Sequence, residues 1–273
     1  SSTNPKMLFL GLGKALPIAA SRGCPYSCFS YCTYPLQQGR KTRRFSPEVI
    51  VDHIDFYQKK YQVSRFLFRD PVFTLDRQYV IDICNRIIDR GLNIFWAAEF
   101  HLKDIDQEIV TLMHRAGLRC VFVGIETINQ SSVAETKRFS ATQKQQDFAI
   151  KSLETAGVSV KAMFIFGMPG DGLQNARKTI TYAMKLPVTY LQFSVFTPYP
   201  GTPIFETYQD FITTTRHEDF TQWDLVFSHP ELTPKDIRHL LDRAYTHAYA
   251  NPMRLLRILL RICRIQIESL FRH

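Results

Sequence analysis

The chain has 273 residues, of which 45% are hydrophobic and 22% are charged, and its formal net charge is +9. This composition is typical of a globular protein with a sizeable core, and it excludes a disordered chain and a small disulfide scaffold. No apolar run reaches the ~18–20 residues of a transmembrane helix, and the N-terminus lacks the pattern of a signal peptide.

Strand-like and helix-like segments alternate through most of the chain. Apolar and aromatic runs predict six strands, at residues 17–21, 65–70, 93–100, 119–126, 160–167 and 190–198. Helical patterns with capping residues predict helices at residues 46–61, 75–90, 105–116, 142–156 and 174–186. After Pro203 the alternation stops, and residues 233–273 are typical of two helices broken near Asn251–Pro252.

This alternation predicts an α/β fold with a parallel sheet and right-handed crossovers. Six strands are too few for a complete eight-stranded barrel, so we expect a partial (β/α)6 TIM-like barrel with a C-terminal helical extension. An open doubly wound sheet fits the same alternation. The expected limits are residues 1–14 for a lead-in, 15–205 for the barrel and 206–273 for the extension.

The segment RGCPYSCFSYC places Cys24, Cys28 and Cys32 on a loop after the first predicted strand, with three residues in each gap. Zinc sites usually combine two pairs of Cys or His, and no second Cys pair is present, although a distant His could complete a three-Cys site. Purely structural cysteines are a further alternative. A cubane iron–sulfur cluster normally takes four thiolates, so three would leave one iron open to a ligand.

The other three cysteines, Cys84, Cys120 and Cys263, stand singly in apolar segments. Such cysteines behave as small hydrophobic residues with free thiols, which indicates a reducing compartment. The sequence therefore predicts a cytoplasmic protein.

The cysteine segment resembles the cluster loop of the radical S-adenosylmethionine (SAM) superfamily, whose usual pattern is C-x3-C-x-aromatic-C. The segments FRDP, VGIET, MFIFGMPG and TPYPGTP resemble later motifs of the same superfamily, in the same order. The resemblance implies a [4Fe-4S] cluster on Cys24, Cys28 and Cys32, with the fourth iron chelated by SAM. It further implies cleavage of SAM to a 5′-deoxyadenosyl radical, which abstracts hydrogen from an unactivated carbon.

The resemblance also implies which residues contact SAM. They are Tyr31, Asp70, Pro71, Glu126, Gly167 and Pro198. Asp70 has a structural alternative as a turn or capping residue. The chain has one residue more than the usual pattern between Cys28 and Cys32, which changes the offset of Tyr31 from the loop.

Further polar residues follow the predicted strands at the edge where a TIM-like barrel carries its functional loops. Glu99 and His101 come after the third strand and are candidates for contact with the substrate, although a lone His is more often structural. Lys137 and Arg138 fit either a contact with the SAM carboxylate or a solvated helix end.

Within the superfamily, the chain resembles the branch that usually bears an N-terminal cobalamin (B12)-binding domain, such as the anaerobic magnesium-protoporphyrin ester cyclase and several C-methylases. About fifteen residues precede the first strand, so we expect that domain to be absent and cobalamin to require a separate domain. The implied reaction is C-methylation or oxidative cyclisation of a small-molecule, lipid-like or other large apolar substrate. A reductant such as flavodoxin or ferredoxin is implied as a partner.

Two other functions fit parts of the sequence. A tRNA-modifying methylthiotransferase would suit the basic charge, but its further domains are missing, so nucleic acid is not the expected partner. A non-catalytic scaffold with zinc or no metal in the cysteine loop is the second alternative.

The C-terminal helix has a basic face. Arg254, Arg257, Arg261 and Arg264 recur at intervals of three and four residues, and leucine and isoleucine cover the rest. The pattern fits peripheral contact with an anionic membrane, packing against the core, or docking on a missing domain.

Overall fold

The computed structural model describes residues 14–26 and 28–270, so the predicted lead-in at residues 1–14 lies outside the described residues except for Lys14. The strands are β1 (Ala15–Ile18), β2 (Ser21–Arg22), β3 (Arg43–Arg44), β4 (Arg65–Phe68), β5 (Phe95–Phe100), β6 (Leu118–Glu126), β7 (Ser159–Phe166) and β8 (Tyr190–Val195). The helices are α1 (Tyr34–Gln38), α2 (Pro47–Tyr61), α3 (Arg77–Asp89), α4 (Gln107–Arg115), α5 (Gln130–Glu135), α6 (Gln143–Thr155), α7 (Leu173–Lys185), α8 (Pro203–Tyr208), α9 (Pro234–Tyr249) and α10 (Pro252–Leu270).

Six strands form one parallel sheet in the order β1-β4-β5-β6-β7-β8. The order follows the chain without reversal, whereas a doubly wound sheet reverses its order at a switch point. The partial barrel is therefore confirmed, and the doubly wound alternative is wrong. All six strands have their carboxyl ends at one edge, where the loops that carry function gather in such folds.

The helix boundaries agree closely with the capping residues in the sequence. The Ser46 side chain accepts a hydrogen bond from the Val49 amide at 3.3 Å, and Thr142 forms a capping box with Gln145. The chain breaks between α9 and α10 at Asn251, as predicted. Short helices such as α1 and α5 lack a full apolar repeat, and the sequence did not predict them.

The first predicted strand, residues 17–21, is wrong at its end. β1 stops at Ile18, and Ser21 instead begins β2, which pairs antiparallel with β3. The physical reason is Asp70, whose carboxylate accepts hydrogen bonds from the amides of Ala20 and Ser21 at 3.1 and 2.5 Å. Those amides are therefore not available to continue the parallel sheet.

The two faces of the sheet pack differently. The convex face packs its alternating apolar residues against the surrounding helices and forms the main core. The concave face carries a smaller cluster at its amino end, in which Leu67, Phe95 and Phe122 contact Ile265 of α10. The final helix thus supplies an apolar side chain to the inside of the partial barrel.

Helix α10 crosses the amino ends of the strands with its arginines turned inward. Arg254 and Arg257 each donate to the Val188 carbonyl at 3.2 Å, just before β8. Arg261 contacts the Glu154 carboxylate at 3.1 Å, just before β7. These contacts support the alternative in which the arginine face of this helix packs against the core, and contact of the helix with a membrane stays a prediction.

The last part of α10 closes the amino ends of β6 and β4. Arg119 at the start of β6 is buried and pairs with Glu268 at 2.7 Å. Arg65 at the start of β4 donates to Ser269 at 3.4 Å. Within the described part of the chain, no helix combines the length and apolar character that crossing a membrane requires.

Candidate cluster and cofactor site

The three cysteines lie on the loop between β2 and α1, at the carboxyl edge of the sheet. The Cys32 amide donates to the Cys28 carbonyl at 3.1 Å, so these residues form one helical turn. Residues four apart on such a turn face the same side. The additional residue in this gap therefore leaves the Cys28 and Cys32 thiols on one side of the loop.

The thiols influence one another electrostatically. The hydrogen bond to Cys32 is the main cause that lowers the pKa of Cys28 to about 7, and the Arg138 guanidinium acts in the same direction against burial. The same bond raises the pKa of Cys32. Burial raises the pKa of Cys24, whose side chain is almost fully covered.

The donor set fits a cubane cluster. Within residues 14–26 and 28–270, no three His, Cys, Asp or Glu side chains converge closely enough to hold one metal ion. A cubane needs a different arrangement, because each thiolate binds its own iron and the thiols need only border one rim. A hydrogen bond with Cys28 and electrostatic effects of Cys28 and Cys24 raise the pKa of Cys32, so both residues lie near the Cys32 thiol.

The antiparallel pair of β2 and β3 holds the start of the cysteine loop. The Cys24 amide donates to the Gly39 carbonyl at 3.1 Å. Gly23 has a φ of +94°, and a Cβ there would collide with the Lys41 carbonyl oxygen. Glycine is therefore required at this position, because a side chain would displace the strand pair that anchors Cys24.

A buried arginine stands beside the cysteines. Arg138 donates to the Tyr31 hydroxyl at 2.8 Å, lies 3.4 Å from the Glu126 carboxylate, and also donates to the Gly124 carbonyl. Its side chain is only 10% exposed, and its buried Nε has no hydrogen-bond partner. The predicted solvated helix end is therefore wrong for Arg138. The pattern of the sequence did not indicate its pairing with Tyr31.

Glu126 terminates β6 in an unusual conformation. Its φ is +67°, and the pairing of β6 with β7 shifts register between Gly124 and Glu126. Burial raises the pKa of this carboxyl group, opposed by the Arg138 guanidinium. A non-glycine residue held at positive φ with a buried charge is a feature that concentrates at functional sites.

Glu99 belongs to a second polar group on the neighbouring strand. The Tyr34 hydroxyl donates to both carboxylate oxygens at 2.9 and 3.0 Å, and Arg69 lies at 3.7 Å. Burial is the main cause that raises the pKa of Glu99. Tyr34 and Arg69 were not singled out from the sequence; only the position of Tyr34 directly after the cysteine loop could have indicated it.

Both ring nitrogens of His101 form hydrogen bonds with backbone groups. Its Nδ1 accepts from the Lys103 amide at 3.3 Å, so Nε2 carries the proton and donates to the Phe139 carbonyl at 3.1 Å. The ring stacks on Phe139 and contacts Tyr26 of the cysteine loop. These contacts support the structural alternative for His101, and contact with the substrate stays a prediction.

Asp70 and Pro71 are also buried beneath the loop. Besides two amides, the Asp70 carboxylate accepts the Ser21 hydroxyl at 2.6 Å. These bonds match the structural alternative, since Asp70 orders the chain that enters the cysteine loop. A contact between Asp70 or Pro71 and SAM stays a prediction.

The remaining predicted residues follow β7 and β8. Gly167 has a φ of +74° and donates its amide to Asp171 at 3.1 Å, and a Cβ there would lie 3.3 Å from Ile237. Pro198 is buried three residues after β8. Of the predicted set, the structure joins Tyr31 and Glu126 directly through Arg138, whose charge also lowers the pKa of Cys28.

The profile of the Radical SAM superfamily matches residues 18–183. The chain belongs to the radical SAM superfamily. An uncharacterized methyltransferase of Pyrococcus horikoshii is 30% identical over 94% of this chain and 53% of the relative. The anaerobic magnesium-protoporphyrin IX monomethyl ester cyclase of Rubrivivax gelatinosus is 26% identical over 89% of this chain and 43% of the relative.

Among solved structures, the radical SAM methyltransferase TsrM from Kitasatospora setae, with cobalamin and a [4Fe-4S] cluster bound, has a TM-score of 0.66. It is 20% identical, with 72% of this chain and 40% of TsrM aligned, which shows the fold alone. The chain spans about half the length of the curated relatives it matches. Membership confirms the predicted superfamily and branch, and with them the [4Fe-4S] cluster and SAM as the cofactors that the family implies.

Proposed function

We propose that this chain is a catalytic core that binds a [4Fe-4S] cluster through Cys24, Cys28 and Cys32. In this proposal it cleaves SAM in order to methylate or oxidatively cyclise an unactivated carbon. One observation carries the proposal: the Cys28 and Cys32 thiols share one side of a helical turn beside the buried Arg138. The methyltransferase and cyclase names of the relatives support the reaction type.

Arg138 is the proposed partner of the SAM carboxylate. It is a buried cation with an unpartnered donor next to the cysteines, and charged donors form strong bonds with carboxylates. The cluster and SAM, when bound, would supply radical chemistry at an unactivated carbon of the substrate. The protein holds the anion at Arg138, orients Tyr31 and Glu126 through the same guanidinium, and excludes water.

The proposed substrate side is the concave face beyond Glu99. Phe122, Met163 and Ile165 line this face and are buried or half-buried. An apolar wall next to a carboxylate with a raised pKa suits a large apolar molecule that carries a few polar groups. The substrate class therefore remains a small molecule or a lipid-like compound.

An acidic reductant such as flavodoxin or ferredoxin is the proposed electron donor. Arg22, Lys41 and Arg43 are exposed on or next to the paired strands β2 and β3, beside the segment whose Cys24 amide donates to the Gly39 carbonyl. Complementary charge steers such encounters toward the cluster.

Cobalamin takes part in the proposed reaction only if another domain supplies it. Contact with a membrane surface is a separate proposal, and it does not depend on the cluster or SAM.

The test is anaerobic reconstitution of the chain, followed by iron and sulfide analysis and electron paramagnetic resonance of the reduced protein with and without SAM. We expect about four irons per chain and a signal that changes when SAM is added. The matched control replaces Cys24, Cys28 and Cys32 with alanine and should bind no cluster. Zinc, or no metal in the native chain under the same conditions, would overturn the proposal in favour of a scaffold.

A further inference from the structure

The outward face of α10 is apolar along its whole length. The exposed large hydrophobic residues on this face are Met253, Leu255, Leu256, Leu259, Leu260, Ile267 and Leu270. Their exposed fractions run from 43% for Leu255 to 75% for Leu270. The helix is inverted relative to an ordinary surface helix, since Arg254, Arg257 and Arg261 face the barrel and the leucines face outward.

The apolar face is long and free of charge. Nineteen residues form a helix about 28 Å long. With a rotation of about 100° per residue, the half of the α10 surface turned away from Arg254 and Arg261 contains no charged residue. Monomeric soluble proteins rarely expose a contiguous apolar surface of this kind, so the face is built to be covered.

Cations surround the same end of the barrel. Four helices that lead into strands contacted by α10 each carry an exposed cation within six residues of that contact. The cations are Lys60 before Arg65, Arg115 before Arg119, Lys151 before Glu154, and Lys185 before Val188. The apolar face therefore lies within a positively charged rim.

The charge of the rim favours one kind of partner for the apolar face of α10 over another. A symmetric contact between two copies would bring both cationic rims together, which opposes dimerisation through α10. A bilayer with anionic lipids offers an apolar layer for the leucines and negative headgroups for the rim. Tyr61, at the end of α2, is 53% exposed at this same end and has the amphipathic character that suits an interface.

We propose that α10 anchors the protein flat on an anionic membrane surface. The apolar face enters the boundary between headgroups and acyl chains, while the arginines fasten the helix to the barrel. The cysteine loop lies at the opposite edge of the sheet and therefore faces the aqueous phase. A reductant dissolved in water reaches the Cys24 side without leaving that phase.

The test is co-sedimentation of the full chain with vesicles of phosphatidylcholine alone or with one third phosphatidylglycerol. We expect binding to the anionic vesicles that weakens with salt. The variant with Leu256→Gln and Leu259→Gln should bind at least about tenfold more weakly, because it removes apolar surface. Phe148→Gln is the matched control, since Phe148 is 54% exposed on α6 and should leave binding unchanged.

A second variant isolates the rim. Replacing Lys60, Arg115, Lys151 and Lys185 with Gln should remove the preference for anionic vesicles. Circular dichroism checks that each variant is folded. Equal binding by native chain and leucine variant would overturn the proposal, as would a dimer in solution that the leucine variant separates. The assay needs neither cluster nor SAM, so its outcome is independent of the proposed catalysis.

Discussion

Two buried arginines at opposite ends of β6 make a direct comparison. Arg119, at the amino end, is 3% exposed and donates to Glu268 and to the carbonyls of His114 and Leu118. Arg138, at the carboxyl end, is 10% exposed, lies 3.4 Å from Glu126, and leaves Nε without a partner. The amino end thus uses its buried charge to close the fold, whereas the donor left over at the carboxyl end supports the proposed contact of Arg138 with the SAM carboxylate.

The largest expected effect is the loss of iron binding when a cysteine of the loop, rather than a buried cysteine of α3, is replaced. Cys28→Ala should abolish iron binding and SAM cleavage while leaving the thermal midpoint nearly unchanged, because Cys28 is only half-buried. Cys84→Ala is the matched control: this thiol is buried among apolar side chains away from the loop. It should retain the cluster and lose about 1 kcal/mol of unfolding free energy.

Iron analysis and thermal unfolding of both variants check this difference. Retention of about four irons by Cys28→Ala would contradict the assignment of that residue as a ligand.

The next effect tests closure of the amino end. Arg119→Met should lower the unfolding free energy by about 3 kcal/mol, because it breaks a buried ion pair while keeping an apolar stem. Arg264→Met is the matched control, since Arg264 pairs with the same Glu268 at 2.9 Å but is 53% exposed. Its cost should lie within about 1 kcal/mol. Urea denaturation measures both, and equal losses would show that burial does not set the difference.

The contrast between the ends also explains what the sequence could predict. The predicted bounds of the six strands of the sheet lie within three residues of the observed ones, because apolar runs and helix caps are local signals. The end of β1 was missed because Asp70, about fifty residues away, takes two amides from the strand. A pattern of apolar residues contains no information about such a partner.

The sequence also could not predict which face of α10 packs against the barrel, for a similar reason. The spacing of its arginines defines one basic and one apolar face, but either face of such a helix can pack inward. The decision rests on acceptors far away in the chain, the Val188 carbonyl and the Glu154 carboxylate. In the same way, the cysteine motif was visible in sequence, whereas the contact of Arg138 with Tyr31 joins residues 107 positions apart.

A smaller effect is expected on the affinity for SAM when Arg138 is replaced. Arg138→Met should weaken SAM binding to the reconstituted protein by about tenfold, the value of one charge-assisted hydrogen bond. Iron content should not change. Lys137→Gln is the matched control, because Lys137 is the adjacent cation and is exposed.

Isothermal titration of the reconstituted protein with SAM gives the dissociation constants. An unchanged constant for Arg138→Met, or equal weakening in both variants, would contradict a direct role for Arg138 at the SAM carboxylate.

The smallest effect concerns Asp171, which holds the segment after β7 by accepting the amides of Gly167 and Gly172, both at 3.1 Å. Burial raises the pKa of this carboxyl group to about 6, above its value in an unfolded chain. The folded state therefore binds the proton more tightly, and stability from this group is present at low pH and is lost as the pH rises through 6. Lowering the pH from about 7 to 5.5 should stabilise the native chain by about 1 kcal/mol relative to Asp171→Asn.

The Asn side chain replaces one acceptor oxygen with a donor, which imposes a constant cost that does not vary with pH. Only the slope of the difference against pH therefore reports the titration of Asp171. Urea denaturation of both proteins at several pH values measures that slope. A flat difference would mean that Asp171 stays ionised in the folded state, and that the hydrogen bonds from Gly167 and Gly172 outweigh the burial of its charge.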